Sequence, residues 1–531
     1  MRVPAGAAKA CLMLGFDGPG FGKDDFFACS SLRARLLEAG AKGWDDPAFE
    51  TTVPGRIEMV TASPCEDAKS PIRFRIAAPR GVDWESLEVL VDGKAVEPSR
   101  IRRYGLVFTV DPEGGEWKMP SDHRIEVAGR DRDGTRFEDE QLFAIGEATR
   151  EDVVTLRDDG TVLVDGRPFF PIGFYGCFDK NADGTYDYEK PLCELKAAGC
   201  NVAQIYPPAC DDAGMARVEE FLSAADRLGM KAFVRPGRVR GECDFAEILR
   251  TRKRHPSVLG WFIGDDTASH QSVSQVWRNH KSVKACDNGR LTVQTDSEIF
   301  HNFGIHRYLP FAGSTDVFQP QIYPVEKAET TGKEVPEAIQ MMKACAEDLA
   351  AAGKPKVSVW PVLQAFMQHG EKSGWKRYPT AAEMRAIAYE TIVHGAKGLI
   401  WYTYRSMAKG IPGAAADAEY WKRVTDVTKE IASIQEYLVQ PDSGMQPKAE
   451  VLEGPVKDAL GFDSISLLMK SKSGDNLVIA VNSSTNAVKA RIVRPGFQHV
   501  TRVFGNGERI KSNNSLIDDF APLEVHVYRV K

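Results

Sequence analysis

The chain has 531 residues, well beyond the roughly 250–300 at which one hydrophobic core stops growing, so several domains or one large barrel are expected. Lys and Arg number 68 against 74 Asp and Glu, and the net charge of −6 provides no basic excess for binding nucleic acid. No apolar run approaches the roughly 18 residues that a membrane span needs.

The ten cysteines form no CxxC pair, which predicts free thiols and no metal or cofactor site. The N-terminal residues from Met1 lack the pattern of a signal peptide, so the sequence leaves the compartment open between the cytoplasm and export. Nothing in the composition indicates an oligomeric state.

Residues 1–55 have no clear pattern, whereas residues 56–150 contain short alternating strands separated by turns such as Asp92-Gly93. This spacing predicts an all-β sandwich. The stretch resembles the immunoglobulin-like modules of bacterial extracellular enzymes.

Residues 151–440 alternate apolar strands with amphipathic helices, the pattern of repeated βα units. One helix begins with the capping box Thr380-Ala-Ala-Glu383. Eight units predict a parallel (β/α)₈ TIM barrel, in the α/β class. The predicted strands are Phe169–Tyr175, Asn201–Tyr206, Lys231–Arg235, Val258–Gly264, Leu291–Thr295, Val317–Tyr323, Lys356–Phe366 and Gly398–Tyr404.

After Val439 the alternation stops, and residues 441–531 predict a C-terminal β-sandwich. The barrel is therefore expected to be flanked by an all-β sandwich domain on each side.

The active site of such a barrel lies where its strands end. Aromatic, acidic and amide side chains follow most of the predicted strands, and this mixture suits a sugar, since aromatic faces stack on its C–H surfaces and polar groups bind its hydroxyls. The candidate substrate-binding residues are Tyr175, Tyr206, Arg235, Asp296, Gln321, Trp401, Tyr402 and Arg405.

The segment His255-Pro-Ser-Val-Leu-Gly-Trp-Phe-Ile-Gly-Asp-Asp266 resembles the fourth strand of clan A glycoside hydrolases, which include β-galactosidases, β-mannosidases and cellulases. The strand "GAKGLIWYTY" and the C-terminal "DDFAPLEVHVYRV" strengthen this resemblance, which spans about residues 155–531. It implies a carbohydrate partner and a secreted or periplasmic protein. It also implies a catalytic general acid at Asp266, beside Asp265.

The chain departs from that family at both catalytic positions. Asp266 stands where the family has the acid/base Glu, and Gln364 stands where it has the nucleophile Glu. Retaining hydrolysis needs two carboxyls about 5–5.5 Å apart, and a wider gap of about 6.5–9.5 Å favours inversion through water. Asp296 and Glu371 are candidates for the second carboxylate, and Tyr323 is a candidate nucleophile, as in sialidases.

Two functions remain open at this point, together with a weaker structural or adhesive one. The chain is either a glycosidase or a carbohydrate-binding pseudoenzyme that has lost catalysis. The same residues also have structural interpretations: Gln364 as a buried amide, Trp360 as a core residue, and Arg235 as the partner of Asp265 or Asp266.

Overall fold

The computed structural model describes the chain from residue 56 to residue 530, so residues 1–55 lie outside it. Within that span, the structure does not describe residues 60–66, 79–80, 119–120, 146–152, 206–211, 237–248, 250–254, 268–270, 272, 288, 298–307, 326–331, 371–373, 407, 409, 495–496, 506–508 and 512–513.

Two four-stranded antiparallel sheets form the first described part of the chain, in the orders β1-β2-β6-β5 and β4-β3-β7-β8. They enclose one core around Phe74, Phe108 and Phe143. The strands are β1 Arg56–Met59, β2 Ile72–Ala77, β3 Val82–Val91, β4 Lys94–Ala95, β5 Ile101–Tyr104, β6 Val107–Val110, β7 Ser121–Asp131 and β8 Arg136–Ile145.

A small antiparallel sheet follows, made of β9 Val154–Leu156, β10 Val162–Val164 and β11 Arg167–Phe169. Its side chains Val154, Leu156 and Val162 belong to the same buried cluster as the interior of the barrel. The main-chain N–H of Val154 donates to the carbonyl of Gly289, just before a barrel strand begins. This sheet therefore covers the N-terminal end of the barrel and leaves the opposite end as the mouth.

The central sheet is parallel and closes on itself, which confirms the predicted (β/α)₈ barrel. Its ends meet where Ile172 pairs with Leu399 and Phe174 with Trp401. The seventh position is divided between two short strands. The barrel strands are β12 Ile172–Phe174, β15 Val202–Gln204, β16 Lys231–Val234, β17 Val258–Gly264, β18 Leu291–Asp296, β19 Val317–Ile322, β20 Ser358–Val359, β21 Val362–Gln364 and β22 Leu399–Tyr402. A hairpin of β13 Asp179–Lys180 and β14 Tyr186–Asp187 interrupts the first βα connection.

Helices surround the barrel, and the predicted capping box is present: the Thr380 side chain accepts from the N–H of Glu383, whose carboxylate accepts from the N–H of Thr380. The described helices are α1 Glu189–Ala197, α2 Asp212–Arg227, α3 Val273–Asp287, α4 Glu334–Ala351, α5 Ala381–Val393, α6 Ala418–Ser433 and α7 Gln435–Leu438. None of them is long and apolar enough to cross a membrane.

Side chains alternate along each barrel strand between two cores. Phe233, Phe262 and Trp360 fill the barrel interior, whereas neighbours such as Trp261 pack outward against the helices. Trp360 is fully buried, with its indole N–H donating to Ser358 Oγ at 2.7 Å. Trp360 is therefore a core residue, in agreement with its structural interpretation from the sequence.

The chain ends in two antiparallel sheets with a shared core, in the orders β23-β26-β29 and β24-β25-β30-β27-β28. These strands are β23 Lys448–Glu453, β24 Ile465–Lys472, β25 Asp475–Asn482, β26 Val488–Val493, β27 His499–Arg502, β28 Arg509–Lys511, β29 Ser515–Phe520 and β30 Val525–Val530. The predicted fold class, a TIM barrel flanked by all-β domains, is confirmed.

Candidate active site at the barrel mouth

The fourth barrel strand delivers two adjacent carboxylates to the mouth, because β17 ends at Gly264 and Asp265 and Asp266 follow directly. The Arg235 guanidinium, just after β16, donates to Asp265 Oδ2 at 2.6 Å. It also lies over the Phe262 ring, 5.1 Å from its centre. Arg235 therefore pairs with the first of the two acids.

Asp266 adopts a backbone conformation that side chains with a Cβ seldom adopt, with φ of 46°. Its Oδ1 accepts a hydrogen bond of 2.6 Å from the Gln321 amide at the end of β19. Strained residues of this kind concentrate at functional sites, where the surrounding structure holds them in place.

A buried hydrogen-bond relay anchors the turn that carries Asp266. The hydroxyl of Thr267 donates to Asp296 Oδ2 at 2.8 Å and accepts from the Gln294 amide at 2.7 Å. Asp296 is 4% exposed. The structure thus brings Asp296 close to the acidic pair and places its carboxylate on the supporting side of the turn.

The Tyr175 hydroxyl reaches across the barrel interior from β12 to β19 and donates to Gln319 Oε1 at 2.5 Å. Burial, together with the negative charge of Asp265, raises the pKa of Tyr175 well above its usual range. Tyr175 therefore remains a neutral phenol beneath the acidic pair.

Four rings from three strand ends form what we call the aromatic wall: Tyr323, Phe366, Trp375 and Tyr402. The centre of the Tyr323 ring lies 5.1 Å from that of Phe366, 6.3 Å from Trp375 and 5.8 Å from Tyr402. The Trp375 indole N–H donates to the carbonyl of Tyr323 at 3.0 Å. All but Phe366 remain partly exposed, so the wall offers ring surface to a ligand.

The pKa of Tyr323 is raised well above its usual range by burial and by the neighbouring Tyr402. A nucleophilic phenolate is therefore costly to form at this position. Trp375 and Phe366 are wall residues that the sequence analysis did not select. Their only sequence signal is that they are aromatic and follow the seventh strand.

The Gln364 amide is held at both ends by main-chain groups. Its Oε1 accepts from the N–H of Val325 at 3.1 Å, and its Nε2 donates to the Val325 carbonyl at 2.9 Å and the Phe366 carbonyl at 3.3 Å. The side chain is 3% exposed. This geometry matches the interpretation of Gln364 as a buried, fully hydrogen-bonded amide.

Several other candidates lie apart from this group. Trp401 is 1% exposed and packs in the outer core, with its ring centre 6.3 Å from that of Phe174. Arg405 donates to Asp179 at 2.8 Å. Tyr206 and Glu371 lie outside the described residues.

Two buried amides beneath the mouth keep atoms without a hydrogen-bond partner among the residues that the structure describes. The atoms are Oε1 and Nε2 of Gln204 and Nε2 of Gln319. The side chains of Gln204 and Gln319 are 0% exposed. Within the same described residues, no group of three or more His, Cys, Asp or Glu could hold a metal ion.

No protein-family model matches the chain, and no curated protein matches it in sequence. Similar solved structures include a protein described as a glycoside hydrolase, at 15% identity over 71% of this chain and 96% of the other, with a TM-score of 0.49. A glycoside hydrolase family 5 protein from Bacteroides vulgatus ATCC 8482 matches at 14% identity over 71% and 93%, also with 0.49. An Anoxybacillus alpha-amylase matches at 10% identity over 71% and 99%, with 0.48. These are similarities in the general path of the chain, and the assignment of the barrel rests on its strand pairing.

Proposed function

We propose that this chain is a carbohydrate-active protein of glycoside hydrolase type that binds an oligosaccharide or polysaccharide at the barrel mouth. The observation that carries the proposal is Asp266, an acid directly after the fourth strand that accepts a hydrogen bond from Gln321 and lies near Tyr323 of the aromatic wall. The fourth strand is where the resemblance to clan A implies the catalytic acid.

In the proposed reaction, Asp266 is the general acid that protonates the leaving glycosidic oxygen. The Gln321 amide orients its carboxylate, and Arg235 compensates the neighbouring charge of Asp265. Tyr323 and Tyr402 present ring faces to the sugar. As the glycosidic C–O bond breaks, water attacks the anomeric carbon and gives its proton to a second carboxylate, for which Asp296 and Glu371 are the candidates, since Gln364 is an amide bonded to the main chain.

The bonding of Gln364 favours a second candidate function, carbohydrate binding without turnover. An uncharged amide cannot attack an anomeric carbon as a carboxylate does. In this alternative, the aromatic wall and the amides bind a sugar that the protein does not cleave.

The test is a screen of wild-type protein for hydrolysis and binding on a panel of oligosaccharides, repeated with Asp266→Asn. Turnover that falls at least about a hundredfold in Asp266→Asn supports the enzyme. Binding without turnover supports the second candidate. Turnover that is unchanged in the variant removes Asp266 from the mechanism, and the absence of both binding and turnover overturns the proposal. Asp226→Asn is the matched control, because Asp226 is an exposed acid on α2.

A further inference from the structure

A cavity lies among the helices around the barrel, between the β13–β14 hairpin and helices α1 and α2. Its volume is about 540 Å³, within the range of roughly 300–1,000 Å³ that is typical of small-molecule sites. From α2 it is lined by Glu219, Ser223 and Arg227, which follow one side of the helix because they are four residues apart. None of its described lining residues belongs to the site at the barrel mouth, so it is a separate cavity.

Two tyrosines line the cavity on the hairpin side. Tyr186 and Tyr188 have nearly parallel rings, with 9° between their planes and 6.2 Å between their centres. Tyr188 is 5% exposed, and its hydroxyl has no hydrogen-bond partner among the residues that the structure describes. Leaving a buried hydroxyl unpaired costs stability, so such groups are usually bonded to protein, water or ligand. The Tyr188 hydroxyl can therefore bond a molecule held in the cavity.

The Tyr188 hydroxyl stays neutral. Burial and the negative charge of Glu220 raise the pKa of Tyr188, and the positive charge of Arg217 opposes that shift without cancelling it. A neutral phenol oxygen accepts hydrogen bonds from cationic N–H groups, and the face of a tyrosine ring attracts cations as well. Both properties suit a positively charged ligand.

Carboxylates outnumber cations in the described lining, which contains the guanidinium of Arg227 and the carboxylates of Asp187, Glu189, Glu219 and Glu220. Arg227 donates to Glu189 at 2.5 Å, which compensates one of these acids. Within the described part of the chain, Asp187 and Glu220 form no ion pair. A cation can therefore reach these two carboxylates without breaking an existing ion pair.

Two further cations lie near the cavity but are not among its described lining residues. Arg217 precedes Glu220 by one turn of α2, and Lys190 pairs with Asp179 at 3.4 Å. Across the residues that the structure describes, no group of three or more His, Cys, Asp or Glu could hold a metal ion. Carboxylates dispersed along a cavity suit an organic cation, which offers several N–H donors, better than a single metal ion.

We propose that this cavity binds a small organic cation, a primary ammonium carried on a sugar or on an alkyl chain. The ammonium donates to the carboxylates of Glu220 and Asp187 and to the Tyr188 oxygen, with the Tyr186 ring alongside. An acetylated nitrogen keeps one N–H and no charge, so it loses most of these interactions. This inference does not depend on the proposed function, because it concerns a separate cavity.

The test uses D-glucosamine, N-acetyl-D-glucosamine and cadaverine as probes of the full chain. The first two share the sugar and differ in the charge of the nitrogen, and cadaverine carries the ammonium without a sugar. Isothermal titration calorimetry at low salt and about pH 6 keeps the carboxylates ionised and the amines protonated. We expect at least one of the two amines to bind saturably, and N-acetyl-D-glucosamine to bind about tenfold or more weakly than that amine. Which amine binds identifies the carrier.

Glu220→Gln is the decisive variant, because it keeps the shape of the side chain and removes its charge. We expect it to weaken amine binding about tenfold or more. Asp226→Asn removes one charge from an exposed position of the same helix and should bind like wild type. Tyr188→Phe removes only the unpartnered hydroxyl, so it should weaken amine binding about threefold or more while leaving the Tm at or above the wild-type value.

Thermal unfolding checks that each variant is folded, and Asp187→Asn replaces Glu220→Gln if that variant is not. Amine binding that is unchanged in Glu220→Gln overturns the inference, as does equal binding of N-acetyl-D-glucosamine or the absence of binding by both amines. Binding that falls in Asp266→Asn instead would place the amine at the barrel mouth, which also overturns the inference. The oligosaccharide panel tests the proposed function separately, so the failure of one proposal is distinguishable from the failure of the other.

Discussion

At the scale of single residues, a substitution at Gln364 tests whether this residue is a lost nucleophile or a structural amide. Gln364→Glu replaces a donor by a carboxylate oxygen that faces the carbonyls of Val325 and Phe366. We expect the free energy of unfolding to fall by about 2 kcal/mol, because one oxygen of the buried carboxylate would keep the Val325 N–H as donor while the other would face two carbonyls without a donor. No retaining activity is expected to appear.

Chemical denaturation measures this loss, and proton NMR of the first anomer released detects any gain of retaining activity. Gln364→Met, which removes the hydrogen bonds without adding charge, is the control for polarity alone. A stable Gln364→Glu variant with new retaining turnover would identify the position as a degenerate nucleophile after all.

For Gln204 we predict the opposite effect, a substitution that raises the free energy of unfolding. Its amide is fully buried and has no partner among the described residues, so Gln204→Met keeps the shape of the side chain while removing an unpaired polar group. We expect the free energy of unfolding to rise by about 1 kcal/mol. Gln141→Met is the matched control, since Gln141 is also buried but donates to the Leu142 carbonyl at 3.0 Å. A loss of stability in Gln204→Met would indicate that internal water satisfies this amide.

At the scale of elements, β22 carries two adjacent aromatic residues with opposite roles. Trp401 packs outward with Phe174 in the helix-facing core, and Tyr402 faces the interior and the aromatic wall. We expect Trp401→Ala to cost about 3–5 kcal/mol of stability through the cavity it leaves. Tyr402→Ala should lose less stability but weaken sugar binding about tenfold or more.

Denaturant titration and calorimetry with a bound oligosaccharide separate these two effects. Trp401→Phe keeps most of the packing and should bind like wild type, since the Trp401 indole N–H has no partner among the described residues. Weaker binding in Trp401→Phe at unchanged stability would mean that Trp401 contacts the sugar.

At the scale of the whole molecule, side chains and main chain tie the two β parts to the barrel. On the N-terminal side, Lys281 of α3 donates to the Asp139 carboxylate and to the Glu140 carbonyl. On the C-terminal side, Arg385 of α5 donates to the Val525 carbonyl at 2.6 Å and to Glu430. These contacts attach both sandwiches to helices of the barrel wall.

Acid stability of the molecule should depend on Asp518 in the C-terminal sheets. Burial by itself would raise the pKa of Asp518, but hydrogen bonds from His526, Tyr528 and Arg502 outweigh it and hold that pKa well below its usual range. A carboxyl whose folded pKa is depressed contributes stability above its unfolded pKa of about 4, and this contribution is lost as the pH falls below that value.

We expect Asp518→Asn to lower the Tm at pH 7 and to flatten the fall of Tm between about pH 5 and pH 2. Differential scanning calorimetry across that range measures both effects. Exposed Asp519 is the matched control, and Asp519→Asn should show the same dependence of Tm on pH as wild type. If Tm falls equally steeply with pH in wild type and Asp518→Asn, other carboxyls control acid unfolding.

Local sequence patterns were enough to predict the eight barrel strands, their order, the capping box at Thr380 and the two flanking β parts. These features follow from local patterns: apolar runs alternate with amphipathic helices, and a capping box lies within four residues. The position of Asp265 and Asp266 at the mouth follows for the same reason, because a parallel barrel brings all its strand ends together.

What the individual side chains face, by contrast, depends on how the chain packs in three dimensions. The sequence shows that Trp401 and Tyr402 are adjacent on a strand buried on both faces, but such a strand carries no polar alternation to mark its inner side. Likewise, the partner of Arg235 and the main-chain contacts of Gln364 depend on residues 30 and 39 positions away. Contacts over such distances arise only when the barrel closes, since closure fixes which side chains meet across neighbouring strands.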